Sequence, residues 1–264
     1  MGVIAVAAVV TLHYLGIHRS AQEIRATALI PPKMPVDVLV VIARPGQEVT
    51  MAGTLAALDD AGAQVSVLSL TSGEAQPPNA GFGQERIRGI RADELRASSE
   101  SLGVESVVIG DYADGQLMAA DPGEVTAQIA KVVDEVRPSA ILTVGDMTGD
   151  DSDSQAVAGY SLAAAQAQDS PVARVWTVTR GDREVEWNAM LADPIAGKSV
   201  PEPDVSVRIQ DEAAMKGQAL QTHGTQSPDL VRGTYPYEDR IPALAYFRFW
   251  DREYFALAWG QPME

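Results

Sequence analysis

Residues 36–43, Val-Asp-Val-Leu-Val-Val-Ile-Ala, form an almost unbroken run of β-branched and aliphatic side chains. A run without alternation suits a strand covered on both faces, the usual condition in a parallel sheet. Arg44-Pro45-Gly46-Gln47-Glu48 interrupts it, and residues 49–63 then carry Met51, Leu55 and Leu58 at helical spacing as far as Gly62. Residues 64–70 read as a second buried strand, closed by Thr71-Ser72-Gly73-Glu74. Strand, crossover helix and strand make one βαβ unit, with its functional loop after the first strand.

The same alternation continues downstream. A Pro/Gly/Asn-rich loop over 75–85 leads to a helix over 86–102 that stops at Gly103. Strands are predicted at 104–110, 139–144, 172–179 and 203–209, helices at 124–136 and 154–168, and a closing strand at Arg252-Glu253-Tyr254-Phe255. This order predicts an α/β fold with a Rossmann-like, doubly wound, mostly parallel sheet. With 264 residues, 46% of them hydrophobic, the chain can bury one large core. Its 36 acidic against 20 basic residues leave a net charge of −16, which argues against nucleic acid and polyanionic surfaces as partners. There is no cysteine, and therefore no disulfide, thiolate ligand or thiol nucleophile.

Residues 2–17 carry no charge. As a helix they would reach about 24 Å, close to a hydrocarbon core of about 30 Å, with His18 and Arg19 at one end. The first reading is a single-pass anchor over 1–19, holding the body at the cell membrane on its extracytoplasmic face; a signal peptide and a buried apolar helix are the rival readings. Residues 20–28 read as a short helical continuation. Pro31-Pro32-Lys33-Met34-Pro35 makes 20–35 a stiff linker, so that residues 36–264 are expected to fold without residues 1–35.

The first unit resembles the opening of the LmbE/PIG-L family of zinc-dependent N-acetylglucosaminyl deacetylases, in which the loop reads Ala-His-Pro-Asp-Asp-Glu. Here it reads Ala43-Arg44-Pro45-Gly46-Gln47-Glu48, and Thr71-x-Gly73-Glu74, Arg91-x-x-Glu94, Leu102-Gly103, the 111–115 loop and Lys216-x-x-Ala219-Leu220-x-x-His223-x-x-Gln226 follow in the family's order. The resemblance spans about residues 36–257. It implies a zinc ion held by the His and second Asp of the first loop and a His after the fourth strand, with the first Asp as base. Those positions fall on Arg44, Gln47 and Gly46, and the histidine positions of the second motif fall on Asp151 and Ser154. The chain has three histidines, and His13 and His18 precede the body, so a two-histidine zinc site cannot be assembled. The expectation is therefore no catalytic residue, no metal and no cofactor, with Glu48, Arg91, Asp111, Asp114, Asp153 and His223 as a vestigial crevice. Arg44 is expected to stand in for the metal as a counter-ion to Asp151 or Asp153. For His223, capping or packing is set against a lone base.

Other constellations carry less. Asp146, Asp150, Asp151 and Asp153 could hold a hard cation, although their spacing fits no EF-hand loop. Gly81-x-Gly83 lacks the third glycine of a nucleotide loop, and no Gly-x-Ser-x-Gly elbow occurs. The aromatic residues crowded into 235–259 read as core and closing strand, or as a contact surface. The expected function is a membrane-anchored, catalytically inactive deacetylase-like protein serving a protein partner as accessory or scaffolding subunit of an envelope complex. The alternatives are a binder of an N-acetylglucosamine-like glycan or glycolipid that does not hydrolyse it, and an enzyme using a different metal in the aspartate loop.

Overall fold

Eight strands of the described residues share one sheet in the computed structural model, which describes residues 21–75, 83–145, 151–181, 201–226 and 242–262. They are β1 (Gln22–Ile24), β2 (Val38–Ile42), β3 (Val65–Thr71), β4 (Ser106–Tyr112), β5 (Ala140–Val144), β6 (Arg174–Thr179), β7 (Val205–Arg208) and β8 (Arg252–Gly260). Their spatial order is β1-β7-β8-β6-β5-β2-β3-β4. Every neighbouring pair is parallel except those of β8, which runs antiparallel to both β6 and β7. The helices are α1 (Ala52–Asp60), α2 (Gln84–Ser101), α3 (Pro122–Val136), α4 (Ser152–Ala165), α5 (Ala213–Thr222) and α6 (Ala243–Phe249).

The apolar run of the first strand has a direct structural cause. Val38, Val40 and Ile42 of β2 enter one core cluster with Leu55 of α1, Leu95 of α2, Leu220 of α5 and Phe247 of α6. Leu39 and Val41 enter a second cluster on the opposite face, with Val125 and Ile129 of α3 and Val157 and Tyr160 of α4. A strand covered on both sides has no position left for a polar residue. From β2 the chain steps outward to β3 and β4, then returns through α3 to β5 on the other side of β2. The order of strands reverses there, with β3 and β5 on either side of β2, and a fold of this kind places its crevice at the carboxyl ends of those strands.

Local choices position α1 beneath that crevice. A 3-10 turn over Gln47–Met51 leads into it, and the Glu253 carboxylate of β8 accepts from the Gly53 amide at 3.0 Å and the Thr54 amide at 2.7 Å. These are the orphan N–H groups of a helix start, satisfied here by a residue 200 positions away. Gly53 is required for the approach, since a Cβ there would lie 2.6 Å from Cβ of Ile209.

Two expectations are corrected. Residues 20–28 do not continue a helix: Gln22–Ile24 pairs with β7 as an edge strand, and a 3-10 turn covers Ala26–Leu29. Leu29 is fully buried and Ile30 nearly so, and the Trp176 indole N–H donates to the Leu29 carbonyl at 2.8 Å. Apolar contact and sheet pairing outweigh local helix preference, and residues 22–30 thereby become part of the body. Nor does the single-pass membrane protein with an extracytoplasmic body stand. No helix among the described residues is long and apolar enough to cross a membrane, and the apolar stretch over 2–17, on which that location rested, lies outside the described residues.

Candidate functional site

The crevice is lined by the loop after β2, the start of α4 after β5, and the loop after β4. Gly46 turns the first of these with φ 94°, a left-handed conformation that a side chain would strain. The Gln47 side chain then folds back, its amide oxygen accepting from the backbone N–H of Ala43 at 2.8 Å and of Arg44 at 3.2 Å. Its amide nitrogen reaches across to α4, donating to Ser154 Oγ at 2.6 Å and to Asp151 Oδ2 at 3.3 Å. Asp151 is the N-cap of α4: Oδ1 accepts from the Ser154 amide at 3.1 Å, and Oδ2 accepts from Ser154 Oγ at 2.6 Å.

Arg44 enters this network from β2. One guanidinium nitrogen, Nη2, donates to Asp151 Oδ2, while Nη1 lies 3.8 Å from Asp114 Oδ1. The Arg44 and Asp151 side chains keep 15% and 16% of their exposure and that of Asp114 none, so the cation is mostly withdrawn from solvent. Asp114 also accepts from the Ala75 amide at 3.0 Å. Burial pushes its carboxyl up, Arg44 and the Ala75 amide pull it down, and the net value lies above the ordinary one. For Asp151 burial likewise pushes upward, but Arg44 and the hydrogen bonds from Ser154 prevail and hold the carboxyl below the ordinary value.

Beneath these residues lies a fully buried pair. Glu48 and His223 are both inaccessible, with Nε2 of the imidazole against Glu48 Oε1. Glu48 Oε1 also accepts from Ser98 Oγ at 2.8 Å, and Oε2 from the Gly46 amide at 2.8 Å, so the pair supports the turn of the first loop. Burial pushes the Glu48 carboxyl up, but His223 and Ser98 outweigh it and leave it lowered; burial pushes the His223 imidazole down, but Glu48 leaves it raised. The other members of the late segment hold the same loop and helix. Gln226 donates to the Pro45 carbonyl at 2.9 Å, and Lys216, itself buried, pairs with Glu253 at the start of α1.

The remaining sequence candidates divide. Asp153 is buried and does not meet Arg44: it accepts from the amides of Gly115 at 2.7 Å and Leu117 at 2.9 Å and so ties α4 to the loop after β4. Arg91 is fully buried and donates to the Gly73 carbonyl. Asp111 is exposed on β4 and takes no part in this network among the described residues. Asp146 and Asp150 lie outside the described residues, as do Gly81, Tyr235 and Tyr237. The sequence reading passed over Ser98, Glu74 and Glu253. Glu74 accepts from Arg88 at 2.6 Å and from the Asp114 amide at 3.3 Å. Ser98 carries no signal in an amphipathic helix. The turn that contains Glu74 was read as the close of the first unit, without a role for its carboxylate.

The resemblance implies zinc, and the residues present do not fit it. Zinc needs imidazole, thiolate or carboxylate donors converging on one point. The positions in question hold a guanidinium with no acceptor atom, a glycine, an amide engaged through both of its heteroatoms, a hydroxyl shared between Gln47 and Asp151, and the carboxylate of Asp151, which alone among them could ligate zinc and is engaged by Arg44, Gln47 and Ser154. Among the described residues no group of three or more His, Cys, Asp and Glu side chains is placed to hold a metal ion.

Comparison with known proteins places this site. The family model described as GlcNAc-PI de-N-acetylase (PIG-L) matches residues 39–165. A 1D-myo-inositol 2-acetamido-2-deoxy-α-D-glucopyranoside deacetylase of Nakamurella multipartita is 30% identical, over 81% of this chain and 89% of the relative. The chain belongs to the LmbE/PIG-L family.

A second family relative, described as a probable N-acetyl-α-D-glucosaminyl L-malate deacetylase 2 of Bacillus anthracis, is 27% identical over 77% of this chain and 88% of its own length. Solved structures share the LmbE/PIG-L fold at lower identity. The 4-carboxy-2-hydroxymuconate hydratase GalB of Pseudomonas putida gives a TM-score of 0.63 at 20% identity, covering 86% of this chain and 98% of its own. The N,N'-diacetylchitobiose deacetylase of Pyrococcus horikoshii gives 0.62 at 18%, covering 84% and 83%. Relatives named as enzymes along most of the chain overturn the expectation of a catalytically inactive accessory subunit, and with it that of a glycan binder without hydrolysis. The inference from missing zinc ligands to missing catalysis went too far. Losing those ligands removes one way of polarising a carbonyl, but the crevice keeps a fixed cation between two carboxylates.

Proposed function

We propose that this chain is an enzyme that removes the acetyl group from an N-acetylglucosamine-like amide, in the crevice between the loop after β2 and the start of α4. Membership of the LmbE/PIG-L family and the names of its relatives support the substrate class. The observation that carries the reading is the Arg44 guanidinium, held at the carboxyl end of β2 between Asp114 and Asp151 and still partly exposed. Hydrolysis adds water to the amide carbonyl carbon and breaks its bond to nitrogen, giving acetate and a free amine. Arg44 is suited to donate hydrogen bonds to the oxyanion that develops in that step. Asp114, fully buried beside Arg44 and with its raised value, sets the charge balance around the guanidinium, while Asp151 stays ionised and orients it.

Purified chain incubated with N-acetylglucosaminyl-inositol or N-acetylglucosaminyl-malate should release acetate and amine in equal amounts. Arg44→Ala should lower the rate by about 100-fold or more, the usual cost of losing an oxyanion donor. Absence of acetate release from both compounds and from N,N'-diacetylchitobiose would sink the proposal.

A further inference from the structure

We infer that the LmbE/PIG-L crevice of this chain carries its cation covalently: the Arg44 guanidinium occupies the place of a bound divalent ion, and the site works without zinc. This goes beyond the proposed deacetylation and does not depend on which substrate the crevice takes. The argument starts from charge. Asp114 and Asp151 approach the same point from the loop after β4 and from the cap of α4, and two carboxylates brought together without a counter-charge repel each other. One guanidinium contacts both, through Nη1 and Nη2. A guanidinium stays protonated at any pH the fold survives and offers donors only, so it neutralises the carboxylates as a metal would and presents no ligand to one.

The surrounding residues hold that arrangement. Gln47, at the position of the second ligand, spends its oxygen on the amides of Ala43 and Arg44 and its nitrogen on Ser154 and Asp151. Ser154, at the histidine position of α4, spends its hydroxyl in the same network. Every position that would face the ion thus braces Arg44 or its partner. A divalent ion entering here would have to displace the guanidinium and face its charge at short range.

Metal content and melting temperature of the full chain test this with no substrate present, so their failure is distinct from a failure to release acetate. Protein produced in zinc-supplemented medium and dialysed without chelator should hold far less than stoichiometric zinc, and added zinc should leave its melting temperature unmoved. Arg44→Ala should melt about 3–10 °C lower, with methylguanidinium restoring part of the loss in that variant and none in the unsubstituted chain. If Arg44→Ala fails to fold, Arg44→Lys, which keeps the charge and loses the two-pronged contact, should fold and melt below the unsubstituted chain. Stoichiometric zinc in the dialysed protein, a rise in its melting temperature on adding zinc, or Arg44 variants that melt with the unsubstituted chain would each overturn the inference.

Discussion

A carboxylate as inaccessible as Glu48 is tolerated only where its charge is met, and His223 meets it. Removing that partner leaves an uncompensated buried charge, so His223→Ala should cost about 3–5 kcal/mol in urea unfolding near neutral pH. The same pair shapes the pH dependence of stability. His223 lies above its ordinary value of 6.5 in the folded chain, so its contribution is complete below 6.5 and is lost as pH rises through the raised value. Glu48 lies below its ordinary value of 4.5, so its contribution is complete above 4.5 and is lost as pH falls through the lowered value. The pair should therefore stabilise most between 4.5 and 6.5, with a decline on each side. Unfolding free energies followed from pH 4.5 upward past 6.5 should show the alkaline decline in the unsubstituted chain and not in His223→Gln; an equal decline in both would remove the pair as its source.

At the scale of elements, α1 and α5 are fastened by charges that come from far along the chain. Glu253 of β8 caps α1, and Lys216 of α5 neutralises Glu253 while its carbon chain lies among apolar groups, with the ammonium 5.3 Å from the Phe247 ring centre. Lys216 and Glu253 are both nearly inaccessible. Lys216→Met should preserve packing and still cost about 3–5 kcal/mol, because the carboxylate keeps its two helix amides and loses the counter-charge of the ammonium. Chemical denaturation measures that cost directly. A loss below about 1 kcal/mol would mean that the two helix amides suffice for Glu253.

At the scale of the whole molecule, the sheet begins before the proline-rich stretch. A chain starting at Val36 would lose β1, the buried side chains of Leu29 and Ile30, and the carbonyls that meet Trp176 and Arg174. Two buried aliphatic side chains alone are worth about 3–6 kcal/mol. A chain starting at Val36 should accordingly be less stable by at least that order than one starting at Ala21, as measured by unfolding in urea. Equal stability would show that β1 and the 3-10 turn add nothing to the body.

The elements themselves were legible because their signals are local. An apolar, β-branched run as short as 38–42, closed by Pro45 and Gly46, suits a strand covered twice, and the loop that breaks it then sits at the sheet's carboxyl edge. The position of the three histidines was likewise legible in the sequence, with His13 and His18 ahead of the body and His223 within it. Residues 20–28 misled for the converse reason: their local preference is weak, and pairing with β7, a strand about 180 positions away, overrides it. Three-dimensional contact was equally needed to choose Asp151 over Asp153 for Arg44, to bring in Asp114, to place Glu253 at the start of α1, and to reverse β8 between β6 and β7. Periodicity and composition report on neighbours within a turn or two of chain, whereas a counter-charge is set by whatever the fold brings within a few ångströms, at any separation in sequence.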